Sequence, residues 1–196
     1  MSATATATRP IRYVPEPPDR TPMPAASVAP WTRSWGDPFG VLLVEDNDDE
    51  IVMARRVLKR GGLTDRPRVA RDGRAALDVL LGPNRYAAAA PPAEVPDVIL
   101  LDLGLPKISG LVVLQRIKEH ARVSEIPVVV LSGADDEGMA QFCMNHGANM
   151  YIVKPISCVH VMNIIVAVQK HWLAVESVRG LDAGWTGRLA PGEARL

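Results

Sequence analysis

Cysteine is scarce in this chain: of 196 residues only Cys143 and Cys158 are thiols, and they show neither a metal-ligand spacing nor a C-x-x-C pair. A disulfide-stapled scaffold and a thiolate metal site therefore have no support, a reduced cytoplasmic setting is expected, and both thiols should pack as small hydrophobes. An excess of charge is missing as well. With 22 basic residues against 22 acidic ones, electrostatic capture of nucleic acid or anionic lipid is not expected. No run of 18 uninterrupted apolar residues occurs, which argues against a membrane span. No basic start leads into a compact apolar stretch, so a secretory signal is not expected either. No internal repeat is visible. What is left is a length that suits one ordinary domain with tails, large enough to bury a core.

Composition marks the tails. Eight of the 17 prolines lie in the first 38 residues, among Ala, Thr and Ser. Such a stretch buries too little apolar surface to offset its ordering entropy, so residues 1–38 read as a disordered, flexible arm, with a partner-binding polyproline segment as the functional alternative. Residues 177–196, with Gly180, Gly184, Gly187, Pro191 and Gly192, read as a flexible C-terminal tail. The domain between them spans 39–176.

Inside the domain the pattern alternates. Val41–Val44 is a short continuous apolar run, as a strand buried on both faces should be. Residues 47–60 follow with acids first, bases last and Gly61-Gly62 beyond, an order that complements a helix dipole and supplies its stop. Residues 68–70 predict a strand and 74–81 a helix; 82–96 is a Pro/Ala-rich loop, long for a compact domain. Strands over 98–101, 128–131 and 151–153 alternate with helices over 110–120, 136–146 and 157–174. Five βα units in series imply an α/β fold, a doubly wound parallel sheet with right-handed crossovers. Ligands of such sheets bind at the carboxyl ends of the strands.

Those ends carry Glu45 and Asp46, Asp102, Ser132, and Lys154 before Pro155. Singly each has an ordinary reading: Asp46 or Asn47 as a helix cap, Ser132 as a turn residue, Lys154 as a solvated charge. Together they bring three carboxylates, a hydroxyl and an ammonium to one rim. Clustered carboxylates repel and hold a proton unless a cation joins them, and Mg²⁺ is the hard, oxygen-seeking, phosphate-seeking choice. Asp102 can then act as a carboxylate nucleophile toward a phosphoryl group. The metal and Lys154 neutralise the oxygens in transit, and Ser132 can donate to the resulting phosphate.

At these residues the chain resembles the response-regulator receiver domains. The blocks Val41 to Asn47, Leu101 to Gly110, Val130 to Ala134 and Tyr151 to Pro155 look like that family's hallmarks, in order, and the resemblance covers about residues 40–175. It implies a flavodoxin-like (βα)5 receiver fold, with Asp102 as phosphoacceptor and Glu45 and Asp46 in the metal pocket. It also implies the backbone carbonyl of Gly104 as a further Mg²⁺ ligand, Ser132 as switch hydroxyl, Tyr151 as switch aromatic, Lys154 as phosphate-pairing lysine, and a cis Lys154–Pro155 bond. The implied switch draws Ser132 inward and lets Tyr151 fill the space vacated. More narrowly, the chain looks like single-domain regulators paired with phytochromes, through its Leu-Leu-Val-Glu-Asp-Asn opening with Asp49 following, the long loop before the third strand, Leu-Pro-Lys, and Trp172. The implied partner is a sensor histidine kinase, a bacteriophytochrome by that narrower likeness. Ser109 and Gly104 depart from the common Asp and Asn; the first bears on a loop turn, the second on water access.

Rival readings fare less well. A haloacid-dehalogenase-type phosphatase wants a second acid where Gly104 stands. A flavin carrier wants a phosphate loop where Glu45 to Asp49 would repel phosphate. A DNA-binding regulator wants a helix-turn-helix, and only residues 177–196 follow the domain. A receiver-shaped interaction module without phosphate turnover is the alternative that stays open. The last helix carries one stripe, Val161, Ile165, Val168 and Trp172, expected on the sheet. A second, Val159, Met162, Val166 and Leu173 widened by Ile164, is expected to be exposed, and predicts a homodimer unless the arm with Trp31 and Trp35 covers it.

Overall fold

The computed structural model describes residues 11–12, 39–82, 95–121 and 123–178. Its elements are β1 (Ile11–Arg12), β2 (Val41–Val44), α1 (Asp48–Arg60), β3 (Arg68–Ala70), α2 (Gly73–Leu81), β4 (Val98–Asp102), α3 (Gly110–Glu119), β5 (Val128–Ser132), α4 (Glu137–Asn145), β6 (Met150–Val153) and α5 (Cys158–Val178). Every strand and helix expected between residues 39 and 176 is present, with ends shifted by at most a few residues. One strand was not expected. Ile11–Arg12, inside the arm read as flexible, pairs antiparallel with Tyr151 and Ile152 of β6. The rest of that arm, Trp31 and Trp35, the loop over 83–94 and the tail beyond 178 lie outside the described residues.

The sheet runs β1-β6-β5-β4-β2-β3, its last five strands mutually parallel. The apolar runs alternate across it as period-two side chains must. Leu42, Val44, Ile99, Leu101, Val128, Val130, Tyr151 and Val153 face α2, α3 and α4. Val41, Leu43, Val98, Leu100, Val129, Leu131, Met150 and Ile152 face α1 and α5. From β2 the chain steps outward to β3 and then back past β2 to β4. The crevice beyond the carboxyl ends of β2 and β4 is therefore the switch point of the winding.

Local chemistry sets the helix ends. Asn47, not Asp46, caps α1, its Oδ1 accepting from the Asp49 and Glu50 amides at 2.9 and 3.3 Å. Asp72 caps α2 and Asp136 caps α4 in the same way. Gly61 ends α1 where α5 crosses, and a Cβ there would stand 2.4 Å from Val161 Cγ1, so only glycine permits this approach.

By length and composition alone Cys158–Val175 of α5 would suffice to cross a membrane. Here one face is sealed against the sheet through Val161, Ile164 and Val168, each contributing roughly 1.5–3 kcal/mol as an upper figure. Ile164 thus belongs to the core and does not widen the outer stripe as expected. It falls one residue before Ile165, inside the arc that a helix of 3.6 residues per turn turns inward. Val159, Met162, Val166 and Leu173 are exposed, as expected.

The amino edge of the sheet is held by polar clips. Asp97 gives its amide to Gly40 O at 2.7 Å and takes the Gly40 amide on Oδ2 at 2.6 Å. Asn149 makes the same reciprocal pair with Val128, at 2.8 and 2.9 Å. The end of α5 is fastened to these loops: Trp172 Nε1 donates to Asp97 O at 3.0 Å, and His171 Nε2 donates to Glu125 O at 2.5 Å, its Nδ1 facing the Asn149 amide. Burial pushes the His171 imidazole below its ordinary range, against the Glu125 bond that favours the charged form. The unfolded chain, by contrast, takes up this proton near about pH 6.5. The folding stability His171 supports is then present above that value and lost as pH falls through it. In urea unfolding across this window, wild type should lose stability faster than His171→Gln; parallel profiles would remove His171 from the pH response.

Candidate functional site

The carboxyl edge of the sheet gathers the chemistry. Glu45 and Asp46 leave β2, Asp102 ends β4, Ser132 ends β5, and Lys154 follows β6. The Lys154–Pro155 peptide is cis, as expected. Lys154 Nζ stands 2.6 Å from Glu45 Oε2 and 2.9 Å from Asp102 Oδ1, and it also bonds Glu50. Asp102 Oδ2 accepts the Gly104 amide at 3.1 Å.

Burial divides the acids. The Glu45 side chain is 3% exposed and that of Glu50 45%. Desolvation raises the Glu45 carboxyl above its usual range, although it accepts from Lys154 and from the Asn47 amide. Glu50 is lowered, chiefly by its hydrogen bond from Lys154. Burial alone would lower the Lys154 ammonium, yet hydrogen bonds to Glu45, Glu50 and Asp102 together outweigh it and hold the group protonated well above its ordinary range.

Three carboxylates therefore bond one ammonium, and a fourth, Asp46, lies beside two of them. One oxygen from each of Glu45, Asp46 and Asp102 lies within 4.8 Å of the others. Three anionic oxygen donors at that spacing, left with negative charge after Lys154 is counted, fit a hard divalent cation such as Mg²⁺ rather than a thiophilic one.

Glu50 was missed as a site residue, because its place in the first turn of α1 already explains an acid there. Asp49, part of the opening segment that carries the narrower likeness, is exposed, its amide bonded to Asn47 Oδ1. A signal was available. Asn47 and Glu50 have the spacing of a capping box, in which the glutamate returns to the cap's own amide. Here Glu45 Oε1 takes the Asn47 amide at 3.1 Å, which leaves Glu50 to turn to Lys154.

Ser132 and Tyr151 meet at one acceptor. Both hydroxyls donate to Ala134 O, at 3.2 and 3.1 Å. Tyr151 is 1% exposed, inside the core against α4. Burial raises its phenol.

The loop after Asp102 is braced from below. Lys107, at φ +64°, reaches Asp72 Oδ2 at 2.5 Å, and that bond lowers the Asp72 carboxyl. Ser109 caps α3 by position without a side-chain bond, so its hydroxyl does not replace a capping carboxylate. A Cβ on Gly110 would lie 2.1 Å from the Asp102 carbonyl oxygen.

Comparison with known proteins agrees with this geometry. The family model described as response regulator receiver domain matches residues 41–166. The chain is 38% identical over 141 residues to the probable methanogenesis regulatory protein FilR2 of Methanothrix harundinacea, covering 70% of this chain and 85% of that protein. It is 31% identical over 136 residues to the response regulator Rcp1 of Synechocystis, covering 69% and 90%. The Mn²⁺-bound form of Rcp1 matches with a TM-score of 0.52 at 29% identity, covering 75% of this chain and 97% of that one. The bacteriophytochrome response regulator AtBRR matches with a TM-score of 0.56 at 34% identity, covering 68% and 94%.

The contact at Gly110 yields a test. Gly110→Ala should cost about 1–3 kcal/mol, the usual range for overpacking, in chemical unfolding. Its amide spectrum should change most around Asp102. A variant as stable as wild type would mean that the loop yields without strain.

Proposed function

The chain belongs to the response-regulator receiver family, and on that footing we propose that it accepts a phosphoryl group on Asp102 from a sensor histidine kinase in the cytoplasm and signals by protein contacts. The carrying observation is Lys154 Nζ at 2.9 Å from Asp102, beside the acidic trio. Glu45, Asp46, Asp102 and the Gly104 carbonyl would hold Mg²⁺, whose charge allows an anionic phosphoryl group to approach acidic ground. As an oxygen of Asp102 bonds to phosphorus, the bond from phosphorus to the kinase imidazole nitrogen breaks and its electron pair stays on that nitrogen. Lys154 faces the phosphoryl oxygens and takes up part of their charge. Likeness to the bacteriophytochrome response regulator AtBRR makes a phytochrome-type kinase the preferred partner.

Signalling would run through Ala134. When Ser132 turns its hydroxyl to the phosphate, Ala134 O keeps Tyr151 as a donor, and the segment leading into α4 is repositioned. Tyr151 starts from a buried position on that carbonyl. The exposed stripe of Val159, Met162, Val166 and Leu173 supports a two-fold homodimer through α5.

Two measurements test the proposal. With acetyl phosphate and Mg²⁺, the intact mass should rise by one phosphate. The gain should vanish in Asp102→Asn or in excess chelator. An Asp102→Asn chain that gains phosphate at the wild-type level would sink the assignment, and a wild type that never gains it would favour an interaction module. Light scattering at micromolar concentration should give a dimer for wild type and a monomer for the Met162→Glu, Val166→Glu double variant. A monomeric wild type would remove the dimer.

A further inference from the structure

Glu50 carries a role that neither its helical position nor the receiver reading assigns. It is the third residue of α1, where an acid ordinarily serves the helix dipole or the cap. The cap's amide is already taken by Glu45. Its neighbour Asp48, in the same turn, pairs outward with Arg71 at 2.5 Å. Glu50 alone of that turn reaches Lys154.

An ammonium has three N–H donors, and Glu45, Asp102 and Glu50 are arranged about the one on Lys154. A phosphoryl group arriving on Asp102 brings further negative charge that calls on the same ammonium. Esterified Asp102 is left a weaker, uncharged acceptor, and as the ammonium is drawn to the phosphoryl oxygens its hold on one of the other two carboxylates loosens. Release of Glu45 would strand a buried carboxylate, which is costly. Release of Glu50 exposes a group already 45% open to water, so hydration replaces most of what it loses.

We propose that Glu50 is a positioning residue that competes with the phosphoryl group for Lys154, holding the lysine back in the unphosphorylated protein and letting it go on phosphorylation. The inference rests on the receiver reading of Asp102 above. Its removal increases the fraction of molecules whose lysine is available, which tightens apparent binding of anything that needs it.

The test uses the full chain in Mg²⁺ with beryllofluoride, a non-hydrolysable stand-in for a phosphoryl group, and separately with acetyl phosphate. Glu50→Ala should bind beryllofluoride about threefold more tightly and gain phosphate about threefold faster, the scale of a part-exposed ion pair. Glu50→Asp keeps the charge but is a methylene too short to reach Lys154, and should follow Glu50→Ala. Unchanged constants in Glu50→Ala, with wild type binding normally, would overturn the competition and leave the receiver reading standing. So would a Glu50→Asp chain that matches wild type. A lowered thermal midpoint in Glu50→Ala with both constants unmoved would reduce Glu50 to a helix-stabilising residue. A wild type that neither binds beryllofluoride nor gains phosphate would overturn the receiver reading and this inference with it.

Discussion

One ammonium among four carboxylates is the constraint around which this molecule is organised. Lys154 is within bonding reach of Glu45, Glu50 and Asp102, with Asp46 beside them. In a low-dielectric rim that much like charge drives protonation unless cations offset it, and the direction of the Glu45 shift shows burial already pressing that way. The parallel sheet supplies the geometry. Its switch point sets the ends of β2 and β4 side by side, and β5 and β6 extend the row to Ser132 and Lys154. The site is negative because the sheet converges acids there, against one lysine among the described residues of the rim.

The two edges of the sheet are built to different standards. At the amino edge Asp97 and Asn149 each close a reciprocal pair across two strands, and the end of α5 is fastened over them through Trp172 and His171. At the carboxyl edge partners are shared: Ser132 and Tyr151 both donate to one carbonyl, and Glu50 shares its lysine with Glu45 and Asp102. On the proposed function, a change of shape on gaining charge would fall at this carboxyl edge, the amino edge being clipped on both sides.

Much of this was legible in the sequence, and the parts that were not have physical reasons. Buried parallel strands read as unbroken apolar runs, so Val41–Val44, Val98–Leu101 and Val128–Leu131 could be placed from composition alone. Asp102 and Lys154 could be read because strand ends in such sheets are where side chains converge. Ile164 was misplaced because a nearly all-apolar helix gives no contrast from which to find its inner face. Glu50 was hidden behind a sufficient local explanation, and only the prior use of the Asn47 amide by Glu45 frees it. The two-residue strand Ile11–Arg12 has too few residues to show any period, and its pairing depends on an edge of β6 that a one-dimensional pattern does not display. Tyr151 could be named from its neighbours but not given an orientation, since that is set by α4 packing over it.

The bond between Lys154 and Glu45 joins residues 109 positions apart. Its two halves enter the world at different times. During synthesis from the amino end, Glu45, Asp46 and Asp102 are made first and form an acidic pocket without its counter-ion. Closing so long a loop is also what slows the folding of sheets of this topology. On the proposed function a growing chain is therefore incompetent to accept phosphate until the strand before Lys154 has emerged and docked, so the lysine would also serve as a seal of completion on the fold.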